Sequence, residues 1–182
     1  MNCAERIMIM PKEDLRAIVI LLKAGLESHA LATIYASIDR MAWLISASEE
    51  STSTEFKKWA DQFLIVGESF NFNSSDLWAA RCGLLHTGAA ESRDYRKNNA
   101  NLIYYKVKEE RSDDAVLELI KPMLDELDIS KERVRFVGYF WLTDRLIEAM
   151  SRFERYLIAQ PTLCASALKK ADRQISFQSL PS

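Results

Sequence analysis

The 182-residue chain is near the usual size of one domain and long enough to bury a real core. Its 48% hydrophobic and 27% charged residues are ordinary for a globular protein, while only 5 glycines and 4 prolines argue against a turn-rich β architecture. A net charge of −2 supplies no global positive field, so any contact with nucleic acid must be local.

The first apolar run, "AIVILLKAGL" (17–26), is broken by Lys23 well short of a membrane span, and the N-terminus lacks the long uncharged core of a signal peptide. Three cysteines, Cys3, Cys82 and Cys164, are odd in number, widely spaced and without a CxxC pair. That pattern argues against a disulfide framework and a cysteine zinc site, and fits a reducing cytoplasm. The expectation is a soluble, cytoplasmic protein with no membrane contact.

From Lys12 to about Ser46 the pattern is helical. Leu15, Ile18, Val19, Leu22 and Leu26 recur at three and four, and Leu31, Ile34, Tyr35, Ile38, Ala42 and Ile45 continue the series. Pro11 suits a first helical turn. The stretch Gly25 to His29 either bends this run or breaks it in two. Thr52 followed by Glu55 has capping-box spacing, which predicts a helix through Phe56, Trp59, Phe63 and Leu64. "GESFNFNSS" (67–75) reads as loop, and "SSDLWAARCGLLHTG" (74–88) reads as a helix that opens on a Ser/Ser/Asp cap and stops at glycine.

A polar segment, "AAESRDYRKNNAN" (89–101), precedes the alternating "LIYYKVK" (102–108), which favours an extended conformation. "SDDAVLELIKPMLDEL" restores the helical period, with Asp113 and Asp114 at its positive end and Pro122 as a source of a kink. "RVRFVGYFW" (133–141) fits either a strand paired with 102–108 or the first turns of a helix carrying Leu142, Leu146, Ile147, Met150 and Phe153; the extended reading is favoured. Past Pro161 large apolar residues thin out. The expected architecture is mainly α, with residues 1–160 forming a single helical domain and 161–182 a peripheral helix and tail. A short peripheral β-hairpin or extended pair is the one β feature allowed.

The anomaly is Arg81. On an ideal helix, at roughly 100° per residue, Leu77, Trp78, Ala80, Cys82, Leu84 and Leu85 share one broad arc and Arg81 falls near its centre. Its guanidinium cannot shed its charge, so it needs a carboxylate, a phosphate or water. One solution is an internal ion pair with Asp39, at the edge of the stripe on the preceding helix. The other is a shared cleft. His86 lies roughly 140° around the helix and about 7.5 Å along it, off Arg81's face on a straight helix. Two copies crossing at a twofold axis would bring both residues of each chain together.

"RCGLLH", Arg81 to His86, resembles the hallmark of the HEPN superfamily: an arginine, four to six residues, then a histidine at the end of a core helix. The order of "TIYASIDRMAWL" before it and "HTGAAESRDYRKNN" and "LIYYKV" after it is similar to that of small bacterial HEPN-like proteins, over roughly residues 15–155. The resemblance implies an antiparallel helical bundle and a homodimeric, metal-independent endoribonuclease, a hydrolase without cofactors, in a toxin–antitoxin or phage-defence setting. It implies RNA as substrate, an antitoxin or regulatory protein as a further partner, and catalytic roles for Arg81 and His86. The side chains suit that chemistry, since histidine titrates near neutrality and the arginine fork matches phosphate oxygens.

The residue after the arginine is polar in many active members and is Cys82 here. Cys82 reads as a small core residue, or as a thiol whose pKa Arg81 lowers. Arg93, Tyr95, Arg96 and Lys97 form a combination that can hold phosphate and stack a base, or simply a solvated loop. His29 has no ligand partner at useful spacing and reads as a capping or partly buried structural histidine. Trp43, Trp59, Trp78 and Trp141 read as core or interface residues, and no phosphate-binding glycine loop is visible. The alternative to an enzyme is a catalytically silent HEPN-like module that binds RNA, nucleotide or a protein.

Overall fold

The computed structural model describes residues 1–67, 69–87, 92–107 and 110–173. Helices dominate, and among the described residues the only sheet has two strands. The run expected between Lys12 and Ser46 is two helices, α2 (Ile9–Lys23) and α3 (Glu27–Ile45), preceded by a short α1 (Cys3–Ile7). Gly25 makes the break: it sits at φ +70°, a left-handed conformation that glycine adopts without a Cβ clash. The Leu26 N–H donates to the Leu21 carbonyl at 2.9 Å and the Gly25 N–H to Leu22 at 3.1 Å, which satisfies acceptors left open at the end of α2.

Helix α3 is central and buries Ala30, Leu31, Ile34, Tyr35, Ile38, Met41, Ala42 and Leu44. α4 (Ser53–Trp59) runs into a π-helical turn, Ala60–Leu64, and together they place Phe56, Trp59 and Phe63 in the core. Trp59 and Phe63 meet α8 (Tyr139–Ala159) through Phe153, whose centroid lies 5.9 Å from Trp59 and 5.4 Å from Phe63. Thr52 does precede α4, but the capping box is not made. The Thr52 hydroxyl donates to the Glu55 carboxylate, and the threonine side chain makes no cap hydrogen bond to the backbone.

α5 (Ser74–Thr87) is capped one residue earlier than its serines suggest. Asn73 Oδ1 accepts from the Ser75 and Asp76 N–H groups at 2.8 and 3.1 Å, and Asp76 returns a bond to the Asn73 N–H at 3.1 Å. Asp76 is almost fully buried and also accepts from the Asn101 N–H at 2.6 Å, which ties the start of α5 to the approach of the first strand. The expected glycine stop at Gly88 lies outside the described residues.

After the four-residue α6 (Arg93–Arg96), β1 (Leu102–Lys106) pairs with β2 (Val134–Gly138) from Leu102↔Val134 to Lys106↔Gly138. The extended pair is therefore present, but it is parallel, and the hairpin option falls. Parallel strands need a crossover, which α7 (Asp113–Glu126) supplies. Pro122 lies inside α7 and the helix continues past it to Glu126. Both readings of "RVRFVGYFW" hold for half of it, since β2 ends at Gly138 and α8 begins at Tyr139. A second core beneath α7 joins Leu102, Val116, Ile120, Leu124, Ile129 and Val134 with Tyr95.

Two features correct the reading of the chain's ends. Cys3 and Cys164 form a disulfide with Cα atoms 6.3 Å apart, so only Cys82 is a free cysteine. The odd count and the separation of 161 residues hid a pairing that only the packing of α1 on α9 (Pro161–Ala171) reveals. α9 also adds Cys164 and Ala167 to the core and buries Lys170. The Lys170 ammonium donates to the carbonyls of Trp43, Ser46 and Ser48 at 2.7 to 3.0 Å, where the end of α3 leaves acceptors open. Among the described residues no helix is long and apolar enough to cross a membrane.

Candidate functional site

Arg81 lies on α5, opposite Asp39 of α3. Asp39 Oδ2 accepts from Arg81 Nε at 2.7 Å and lies 2.5 Å from Nη2, and the side chains of Arg81 and Asp39 are 17% and 13% exposed. The neighbouring Arg40 is engaged by Asp14 of α2, which leaves Asp39 to Arg81. The internal ion pair anticipated as the alternative to a shared cleft is thus formed within one chain. Trp78, one turn before Arg81, places its ring centroid 4.9 Å from the guanidinium carbon, a cation–π contact between two half-buried side chains.

The same guanidinium also reaches His86. Arg81 Nη1 lies 3.0 Å from His86 Nε2, and His86 is exposed. The two residues do not share a helix face, yet their side chains meet within one chain, without the second copy that the angular argument invoked. A helical projection fixes where the Cβ atoms point, but an extended arginine spans more than a turn and closes the remaining gap. Arginine has only donors, so Nε2 is the acceptor in this contact and a neutral His86 carries its proton on Nδ1. The result is a chain of contacts from the core to the surface: Asp39, Arg81, His86.

Electrostatics grade that chain. Burial pushes the Asp39 carboxyl above the usual carboxylate range, and the nearby Arg81 and His86 pull it back only in part. Its second oxygen, Oδ1, is buried without a hydrogen-bond partner among the described residues. Cys82, half-buried beside Arg81, is pushed up by burial more than Arg81 lowers it, so the activated-thiol reading fails.

The basic segment divides. Arg93, Arg96 and Lys97 are exposed on and just after α6, which packs against α5. Tyr95 is only 7% exposed, sits in the second core and is covered by the Arg133 guanidinium 4.0 Å from its ring centroid. Its ring is thus unavailable to stack a base. Arg133 also donates to the Tyr95 and Ala100 carbonyls, which makes it a brace for this loop that the sequence did not single out. His29 is exposed on the first turn of α3, with its Nδ1 3.4 Å from Ser28 Oγ, rather than partly buried. Among the described residues no cluster of His, Cys, Asp or Glu is arranged to hold a metal ion.

Fold and site together define a mainly helical domain carrying an arginine–histidine pair anchored on a buried carboxylate. No protein-family model, curated protein or solved structure matches the chain.

Proposed function

We propose that the protein is a metal-independent endoribonuclease of HEPN type that acts as a homodimer. The observation that carries this reading is the 3.0 Å contact between Arg81 and an exposed His86, with Arg81 held from behind by Asp39. A guanidinium fixed in this way is preorganised for a phosphate, because its orientation does not have to be bought from the substrate. In the resting contact the Nε2 lone pair of His86 is occupied by Arg81. A scissile phosphate that draws Nη1 to itself frees Nε2 to take the proton of the 2′-hydroxyl as it attacks phosphorus. The leaving 5′-oxygen needs a proton in the same step, and the His86 of a second copy, in its protonated imidazolium form, supplies it and ends neutral. Arg93, Arg96 and Lys97 extend the surface for the RNA backbone. A toxin or defence role, restrained by an antitoxin or regulatory protein, is the setting the resemblance implies; the Cys3–Cys164 bridge removes the ground for a reducing compartment.

One observation favours the silent module instead: Arg81 already has a carboxylate partner inside its own chain, so its charge requires no ligand. Incubation of wild type and His86→Ala with mixed RNA in EDTA separates the two. Cleavage by wild type alone, leaving 2′,3′-cyclic phosphate ends, supports the enzyme. Equal cleavage by both proteins, or by neither, favours the module.

A further inference from the structure

A cavity of about 470 Å³ opens at the carboxyl ends of β1 and β2, lined in part by Lys106, Gly138 and Trp141. Parallel strands joined by a helical crossover place their ligands at this edge, and the volume is that of a small-molecule site. About 18 Å of helix separates Ser74 at the start of α5 from His86 near its end. The loop before Ser74 lines this cavity, so it and the arginine–histidine pair belong to opposite ends of α5.

The walls are aromatic. Phe70 and Phe72 stack with centroids 5.4 Å apart, and each meets Trp141 edge-on, at 5.3 and 5.7 Å. The Arg145 guanidinium backs Phe70 and Trp141 at 5.4 and 5.9 Å and is itself fixed by the Val66 carbonyl. These rings are therefore set before any ligand arrives. On the polar side stand a donor and an acceptor side by side. Lys106 Nζ, on a side chain only 13% exposed, lies 2.7 Å from Asp113 Oδ1, whose side chain is 46% exposed.

We infer that this cavity binds a nucleobase, with its face against the aromatic wall and its edge read by Lys106 and Asp113. An aromatic wall alone would accept any flat apolar ring. The adjacent ammonium and carboxylate demand an edge that both accepts and donates, as the Watson–Crick edges of the bases do. Guanine fits best, because its edge offers an oxygen to Lys106 and two neighbouring N–H groups to the carboxylate. The base comes either from a free nucleotide or from an unpaired position in RNA, and the chemistry of recognition is the same.

Calorimetric titration of the full chain with guanosine monophosphate, adenosine monophosphate and a short unstructured guanine-containing oligonucleotide tests the inference. Wild type binds at least one guanine ligand saturably, and more tightly than adenosine monophosphate. Binding of the mononucleotide identifies a free nucleotide as sufficient; binding of the oligonucleotide alone identifies RNA as the source. Lys106→Met and Asp113→Asn each weaken that binding about tenfold or more, the scale of a lost hydrogen bond to a charged group. Asp113 is half exposed on the first turn of α7 and asparagine keeps an acceptor for Lys106, so this variant folds and serves if Lys106→Met unfolds. His86→Ala binds guanosine monophosphate as wild type does, because His86 lies at the other end of α5 from the pocket. Absence of saturable binding by all three ligands, a preference for adenine, or binding that neither pocket variant weakens overturns the inference.

Discussion

Replacing Asp39 with alanine removes the carboxylate that holds Arg81 and leaves a largely buried guanidinium facing a small void. Loss of one partner from a buried pair costs about 3–5 kcal/mol, and the residual exposure of 17% and 13% places this pair near the lower figure, about 3 kcal/mol. In a protein of this size each kcal/mol moves the melting temperature by about 2–4 °C, so Asp39→Ala melts about 6–12 °C below wild type. Asp39→Asn keeps a carbonyl acceptor for Arg81 but removes its counter-charge, and melts between Asp39→Ala and wild type. The double variant Asp39→Ala/Arg81→Ala costs less than the sum of the singles by about 2 kcal/mol, because the stranded cation is gone. Urea unfolding followed by circular dichroism, at one fixed protein concentration, measures these four proteins and the Arg81→Ala single. An Asp39→Ala variant within about 0.5 kcal/mol of wild type, or strict additivity in the double variant, refutes the claim that Asp39 anchors a desolvated Arg81.

Burial raises the Asp39 pKa, so the folded state holds that proton more tightly than the unfolded chain, and the stability it contributes is lost as pH rises from 3.8 through the folded value. The melting temperature of wild type relative to Asp39→Asn therefore falls as pH rises over that range, and a rising difference contradicts the assignment. The Cys3–Cys164 bridge spans 161 residues, and loop closure of that length stabilises by about 5 kcal/mol. Reduction or Cys3→Ser lowers the melting temperature by about 10–20 °C, and the unreduced protein unfolded in denaturant titrates a single thiol; three thiols without reductant refute the bridge. That thiol, Cys82, is raised by burial, so in the folded protein it reacts with iodoacetamide more slowly at neutral pH than a free cysteine does; an equal or faster rate contradicts its placement.

Much of the fold could be read from the chain because local rules and packing agree. The i, i+3, i+4 pattern marked α2, α3 and α8, Gly25 supplied the break, and alternation in "LIYYKVK" marked the strand. What escaped depends on long-range geometry. The parallel order of β1 and β2 is fixed by where α7 lands, and the disulfide by α1 meeting α9 across almost the whole chain. Tyr95 looked accessible because its neighbours are charged, yet it belongs to the second core with Val116 and Leu124 of α7, and Arg133 covers its ring. At the site, Asp39 was identifiable as a mate for Arg81 from the helical stripe. The contact with His86 was not, since an angular projection carries no information about side-chain reach.

The account turns on whether the His86 imidazole performs chemistry on RNA. The direct measurement is the rate of RNA cleavage in EDTA by wild type and by His86→Ala, the variant first checked for a wild-type melting profile. If His86 has this role, wild type cleaves to 2′,3′-cyclic phosphate ends and the variant loses about 10²–10⁴-fold in rate. Cleavage at equal rates, or no cleavage by either protein, contradicts it.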